Sequence, residues 1–80
     1  MRISVKLTDE EVATVKKAHK EGGGFQELFA DMEHNLNGNE LSVDKELGER
    51  IIRYCKSYGP GGWQDKLRPI AAKIEAAISQ

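Results

Sequence analysis

The chain has 80 residues and a mass of 8.9 kDa, which allows one small domain with a single core. Hydrophobic residues make up 39% and charged residues 31%, and with a mean hydropathy of −0.57 these values exclude a disordered tail and a membrane span. Twelve basic and thirteen acidic residues give a formal net charge of −1. This balance argues against a generally basic nucleic-acid binder and against an acidic DNA mimic, because both depend on a field of one sign.

The residues that report on the cellular compartment indicate reducing conditions. Cys55 is the only cysteine, so the sequence allows no intramolecular disulfide and no cysteine-based zinc site. The first seven residues lack the apolar segment of a signal peptide and run directly into acidic residues. We therefore expect a cytoplasmic protein.

The first 20 residues predict a strand followed by a helix. Residues 2–7 alternate between polar and apolar side chains, which is typical of a half-buried strand. Thr8-Asp9-Glu10-Glu11 is a capping box, whose hydroxyl and carboxylate can satisfy two free amides at the start of a helix. We expect the first helix from about residue 9 to residue 20, because Gly22-Gly23-Gly24 follows.

A second helix with an apolar stripe is predicted over residues 25–36, where apolar side chains recur at helical spacing. Asn37-Gly38 ends it, either as a glycine cap or as a tight turn. Residues 40–43 alternate, which favours a short second strand that pairs with the first, although a loop is the alternative. A two-stranded ribbon would need a helix across its apolar face.

The second half of the chain predicts a third helix, a break and a final helical segment. Asp44 is a candidate N-cap for helix three, and Gly48 inside that helix indicates close approach of another element. Residues 58–62 form a break rich in glycine and proline. One helical turn is expected over residues 63–67, with a kink or a restart at Pro69, because proline disfavours helix at the residue before it.

These elements predict one α+β domain over residues 1–80, mostly helical, in which the short N-terminal strand packs on three to four helices. A two-stranded ribbon with residues 40–43 is part of this expectation. The predicted core takes apolar residues from every element: Ile3, Val5, Leu7, Val12, Val15, Phe25, Leu28, Phe29, Met32, Leu36, Leu47, Ile51, Cys55, Trp63, Leu67, Ile70 and Ile74.

The residues that could support catalysis favour a protein without enzymatic activity. Cys55 lies on the apolar face of helix three, where a buried and inert thiol is expected. His19 and His34 lack a matching set of carboxylates at ligand spacing, so we expect them to be structural or exposed and predict no metal and no cofactor. The triple glycine lacks the lysine and hydroxyl residue of a phosphate-binding loop.

A basic segment with interleaved aromatic residues is the candidate binding site. Between residues 50 and 73 the chain carries six basic residues and one acid, whereas residues 1–40 carry five bases and eight acids. Basic and aromatic side chains together can hold a partner surface or a nucleic acid, although the aromatic residues could instead complete the core. The predicted partner-binding residues are Arg50, Arg53, Lys56, Tyr58, Trp63, Lys66 and Arg68.

The segment from Arg2 to Ala18, Arg-Ile-Ser-Val-Lys-Leu-Thr-Asp-Glu-Glu-Val-Ala-Thr-Val-Lys-Lys-Ala, resembles the opening of a ribbon-helix-helix repressor. The resemblance covers about a quarter of the chain. It implies a dimer whose strands pair with each other and place Arg2, Ser4 and Lys6 in the major groove of DNA. The triple glycine before helix two and the long C-terminal part depart from that pattern.

A second pattern covers most of the remaining chain. Its segments are Gly-Phe-Gln-Glu-Leu at residues 24–28, Leu41 with Val43 and Asp44, Glu-Arg-Ile at 49–51 with Arg-Tyr at 53–54, Tyr-Gly at 58–59, and Gly-Gly-Trp-Gln at 61–64 with Leu67. The pattern is similar to a group of small bacterial and phage-type proteins without an established activity. This resemblance implies a protein-binding inhibitor or regulator, such as an anti-CRISPR-like protein that blocks a host machine. The expected function is therefore non-enzymatic protein binding, and the alternative is a dimeric DNA-binding regulator.

Overall fold

The chain folds into a small antiparallel sheet with helices on one of its faces, in a computed structural model that describes residues 2–21, 25–57 and 62–79. Its elements are β1 (Arg2–Lys6), α1 (Asp9–Glu21), α2 (Gln26–His34), β2 (Leu36–Asn37), β3 (Glu40–Asp44), α3 (Lys45–Ser57), α4 (Trp63–Lys66) and α5 (Arg68–Ile78). The predicted class, mostly helical α+β, is confirmed. Within the described ranges, no helix combines the length and the apolar character needed to cross a membrane.

The sheet has the order β1-β3-β2, and both pairings are antiparallel. Ile3 pairs with Val43 and Val5 with Leu41, and all four side chains are buried on the face that meets the helices. The outward face carries three polar pairs: Arg2 with Asp44, Ser4 with Ser42, and Lys6 with Glu40. The prediction that residues 40–43 form a strand paired with the N-terminal strand is therefore confirmed.

The turn before β3 decides between the two interpretations of Asn37-Gly38. Helix α2 ends at His34, and the chain then forms the short strand β2, which pairs with β3. Gly38 has a φ of +64° and is the first residue of the two-residue turn that joins Asn37 to Glu40. Glycine suits this position because side chains disfavour positive φ. Asn37-Gly38 therefore belongs to a tight turn and does not cap the helix. Helix α2 ends at His34, two residues before the predicted end at Leu36.

Two helices cover the buried face of the sheet. Helix α5 packs against β1 and α3 against β3, while α1 and α2 pack on each other. The close approach predicted at Gly48 is confirmed, because a Cβ atom there would lie 3.2 Å from Cγ2 of Ile74 in α5 and 3.5 Å from Cγ2 of Val43 in β3. The absence of a side chain at Gly48 thus lets α3 approach both neighbours.

Local signals in the sequence set the starts of three helices. The Thr8 amide donates to Glu11 Oε1 at 2.8 Å and the Glu11 amide donates to Thr8 Oγ1 at 3.1 Å, which is the predicted capping box. At the start of α3 the Leu47 amide donates to Asp44 Oδ1 at 2.7 Å, as the N-cap prediction requires. Pro69 lies in the first turn of α5, where its missing amide costs no helical hydrogen bond.

One lysine connects the two ends of the sequence. Lys73 of α5 donates through Nζ to the Lys6 carbonyl oxygen at 2.8 Å and to Glu11 Oε1 at 2.6 Å. The Glu11 side chain is only 14% exposed, so this ion pair is better shielded from water than an ordinary surface pair. Lys73 therefore holds α5 against β1 and against the capping box of α1.

Most of the predicted core residues are buried, but Phe25 is not. Phe25 is 38% exposed because it occupies the N-cap position of α2, before the helical stripe begins, and the prediction that it lies in the core is wrong. Val12, Leu36 and Trp63 are partly buried against the core. Buried residues that were not in the predicted core are Ala18, Leu41, Val43, Tyr54 and Ala71.

The Glu11 carboxylate should make stability depend on acid pH. Burial acts to raise the pKa of Glu11, but hydrogen bonds from Lys73 and from the Thr8 amide outweigh burial and hold this pKa below its ordinary value of 4.5. A carboxyl group with a lowered pKa stabilises the fold above the ordinary value, and this stabilisation is lost as the pH falls through the folded-state value. Urea unfolding should therefore show Glu11→Gln less stable than the wild type near neutral pH, with the difference closing below about pH 4.5.

The exposed neighbour Glu10 provides the control for this experiment. Glu10→Gln removes a carboxylate from the same helical turn without touching Lys73, so its stability should stay close to that of the wild type across the range. A stability difference between Glu11→Gln and the wild type that does not change with pH would contradict the prediction.

The close approach at Gly48 should make this position intolerant of larger side chains. We predict that Gly48→Val lowers the free energy of unfolding by ~1–3 kcal/mol, because added methyl groups must displace Ile74 and Val43. Ala76→Val, at an exposed position of α5, is the matched control and should change stability much less. Chemical denaturation measures the free energy of unfolding of both variants. Equal values for Gly48→Val and Ala76→Val would count against tight packing at Gly48.

Candidate functional site

The polar residues of β1 lie in a sheet formed within the chain. The Arg2 guanidinium donates to Ser42 Oγ at 3.3 Å and to Asn35 Oδ1 at 2.9 Å, while Ser4 and Lys6 are exposed on the same face. In the ribbon-helix-helix expectation, this strand pairs with the strand of a second chain. Here it pairs with β3 of its own chain, which counts against DNA reading by Arg2, Ser4 and Lys6.

The predicted partner-binding residues in the described part of the chain are distributed over three helices. Helix α3 carries Arg50, Arg53 and Lys56, helix α4 carries Trp63 and Lys66, and α5 begins at Arg68. Tyr58 lies outside the described residues. Arg50 lies beside Asp31 of α2 and Lys56 lies beside Glu75 of α5. Arg53 lies between them on α3 and lines a groove on each side, one with α2 and one with α5.

The groove between α3 and α5 has a volume of about 340 Å³ and an apolar floor. Ile52, Cys55, Ala71 and Ala72 line it beside the charged residues Lys56, Arg68 and Glu75. The charges at this groove are paired within the domain, since Lys56 Nζ lies 2.7 Å from Glu75 Oε2 and Arg68 Nη1 lies 3.4 Å from Asp65 Oδ1. These ion pairs are exposed, so they add little stability.

The groove between α2 and α3, called the α2/α3 groove below, has a volume of about 260 Å³. It is lined by aromatic, apolar, basic and hydroxyl side chains: Phe25, Leu28, Arg50, Arg53, Tyr54 and Ser57. The Arg50 guanidinium lies 3.1 Å from Asp31 Oδ2, and no ion pair or hydrogen bond occupies the exposed Arg53 side chain in the described structure. Its rim therefore holds one cation that is available to a partner.

Three aromatic rings give the α2/α3 groove a rigid wall. The Tyr54 ring lies 4.6 Å from the Phe25 ring in a tilted arrangement and 5.6 Å from the Phe29 ring in an edge-to-face arrangement. Tyr54 and Phe29 are buried, whereas Phe25 is the only large hydrophobic side chain in the described residues that is exposed. The buried rings fix the position of the exposed one.

The aromatic residue of α4 is used within the domain. Lys66 Nζ lies 4.4 Å from the ring centroid of Trp63, which is a cation–π contact, and Trp63 packs partly buried against the core. This arrangement agrees with the alternative considered from the sequence, in which the tryptophan completes the core.

The thiol of Cys55, the candidate nucleophile, is buried and is not activated. Burial raises the pKa of the Cys55 thiol to about 11, although the charge of Arg68 acts to lower it, so the reactive thiolate is scarce at neutral pH. His19 Nδ1 lies 3.0 Å from Glu33 Oε1 between α1 and α2, and His34 is exposed at the end of α2. The described residues bring together no group of three side chains suited to a metal ion.

Four residues that line the α2/α3 groove are not among the binding residues predicted from the sequence: Phe25, Leu28, Tyr54 and Ser57. Phe25 was assigned to the core because it begins an apolar stripe at helical spacing. The triple glycine directly before Phe25 is the feature of the sequence that could have indicated its exposure. It places Phe25 at the start of α2, before the first full helical turn.

Comparisons of the chain with protein-family models, with curated proteins and with solved structures give no significant match.

The buried Cys55 thiol should react slowly in the folded protein. We predict that an alkylating reagent labels Cys55 at neutral pH far more slowly in the native state than in urea, because burial raises the pKa of the thiol to about 11. Cys55→Ala should cost ~1–2 kcal/mol of stability, since it removes a small apolar group from the core. Equal labelling rates in the native and unfolded states would contradict the buried assignment.

Proposed function

We propose that the protein is a non-enzymatic protein-binding module that contacts its partner through the α2/α3 groove. The observation that carries the proposal is that the exposed ring of Phe25 and the unpaired guanidinium of Arg53 line the same groove. Aromatic and arginine side chains contribute most to binding energy at protein interfaces, especially where rigid neighbours hold them.

The chemistry of the groove indicates the kind of partner segment that fits. Phe25, Leu28 and Tyr54 offer an apolar surface, while Arg53 offers a charge that loses no internal ion pair on binding. A segment with an apolar side chain next to an aspartate or glutamate would complement both features. Arg50 is already paired with Asp31 and would contribute mainly to the positive field at the groove.

The proposed biological class is that of a small cytoplasmic inhibitor or regulator from a phage or mobile element. The resemblance of the Gly-Phe-Gln and Gly-Gly-Trp-Gln segments to small phage-type proteins supports it, as does the buried and weakly acidic thiol of Cys55, which argues against an enzyme. Lys56, Tyr58, Trp63, Lys66 and Arg68 stay predicted binding residues; in this proposal they are secondary to the α2/α3 groove.

Site-specific photo-crosslinking tests this proposal. A photoreactive residue replaces Ser57, which lines the α2/α3 groove and is exposed, in cells that naturally make the protein. We expect a crosslinked protein partner that is lost with Arg53→Glu and strongly reduced with Phe25→Ser. Arg53→Ala should weaken the purified complex by ~1–3 kcal/mol while leaving the melting temperature unchanged, because Arg53 has no internal partner.

Lys17→Glu is the control. Lys17 is exposed on α1, away from the groove, and its replacement by glutamate changes the charge by the same amount as Arg53→Glu. It should leave the crosslink intact. A crosslink that survives Arg53→Glu as well as it survives Lys17→Glu, or the recovery of nucleic acid instead of protein, would refute the proposal.

A further inference from the structure

Among the described residues, strand β1 has a neighbouring strand on only one of its two edges. In the order β1-β3-β2 it pairs only with β3. The Leu7 amide donates to the Asn39 carbonyl oxygen at 2.7 Å, so the backbone groups of residue 7 point toward the β3 side. Backbone groups alternate along a strand, and those of Arg2, Ser4 and Lys6 therefore point to the free edge.

Little of this free edge is occupied by other parts of the domain. Its Lys6 carbonyl oxygen accepts a hydrogen bond from Lys73 Nζ at 2.8 Å. Ser4 is exposed, and in the described structure no side chain bonds to its amide or its carbonyl oxygen. The centre of the edge thus presents one donor and one acceptor in the geometry that a further strand requires.

The charges along β1 determine which strand fits. Lys6 and Arg2 flank Ser4 on the exposed face, and β3 meets them with Glu40 and Asp44. The Arg2 guanidinium is bonded to Ser42 and Asn35, whereas the Lys6 side chain has no partner in the described structure. A second copy of β1, paired antiparallel about Ser4, would place Arg2 opposite Lys6, and like charges in that position are destabilising. The basic edge therefore disfavours self-association and favours an acidic strand.

We infer that the free edge of β1 binds an extended acidic segment of another protein by antiparallel strand addition. The segment would carry acidic side chains four residues apart with a small polar residue midway, the pattern that Glu40, Ser42 and Asp44 already present to the other side of β1. This surface goes beyond the proposed function, because it shares no residue with the α2/α3 groove.

A peptide that copies β3 is the direct probe. The capped hexapeptide Asn-Glu-Leu-Ser-Val-Asp, the sequence of residues 39–44, is titrated into the ¹⁵N-labelled protein and followed by NMR. Binding should shift the amide signals of Arg2, Ser4 and Lys6 and slow hydrogen exchange of the Ser4 amide. The counterpart with lysine in place of both acids should bind about tenfold more weakly, because two favourable cross-strand pairs become repulsive.

A charge exchange within the domain provides the matched variant. Lys6→Glu combined with Glu40→Lys keeps an opposite-charge pair between β1 and β3 but alters the charge that the free edge presents. The melting temperature should stay near that of the wild type, while the preference for the acidic peptide over the lysine peptide falls about tenfold. Arg53→Glu should leave peptide binding unchanged, so this test is independent of the α2/α3 groove.

Several results would overturn the inference. These are an unchanged exchange rate at Ser4, equal binding of both peptides, or peptide-induced shifts centred on Leu41 and Val43, which would indicate replacement of β3. Sedimentation that shows the protein itself dimerising, with Ser4→Pro abolishing the dimer, would mean that the edge serves a second copy instead.

Discussion

The antiparallel pairing of β1 with β3 is the constraint on which the other elements depend. It joins residues about 40 positions apart and places Ile3, Val5, Leu41 and Val43 on one face of the sheet. That apolar face is the surface against which α3 and α5 pack. Without the pairing, neither strand could present a continuous apolar surface, and a two- or three-stranded sheet of this size is marginal without such a cover.

The position of α3 at the centre of the helical layer explains why charges of the basic segment pair with acids on two different helices. Its buried face, with Leu47, Ile51 and Cys55, is committed to the core. The residues that flank this face point to different neighbours, Arg50 toward Asp31 of α2 and Lys56 toward Glu75 of α5. Basic residues that follow one another along α3 therefore meet acids of two different neighbouring helices.

Much of the fold could be predicted from the sequence because its signals are local. The capping box at Thr8, the N-cap at Asp44 and the restart at Pro69 are each decided by backbone chemistry within a few residues, and the structure has all three. The strand β2 was not predicted, since two residues are too few to show a period. Its existence depends on the tertiary contact with β3.

The candidate site was less predictable, because its properties depend on which charges meet across helices. Nothing near Arg50 in the sequence indicates Asp31 as its partner, and nothing near Arg53 indicates that it lacks one. The exposure of Phe25 depends on the position of the helix start relative to the apolar stripe, and a shift of one residue decides it. The spacing of residues in the sequence shows which of them share a helix face. Which other residues they contact is decided by the tertiary structure.

The contact between α5 and β1 has a consequence for the way the protein is made. Strand β1 leaves the ribosome before helix α5, which covers its apolar face and is encoded more than 60 residues later. During synthesis Ile3 and Val5 therefore remain without their cover until residues 68–78 have emerged. Closing such a long loop is slow compared with forming a helix, so the nascent chain carries an uncovered apolar strand, which is the kind of segment that promotes aggregation.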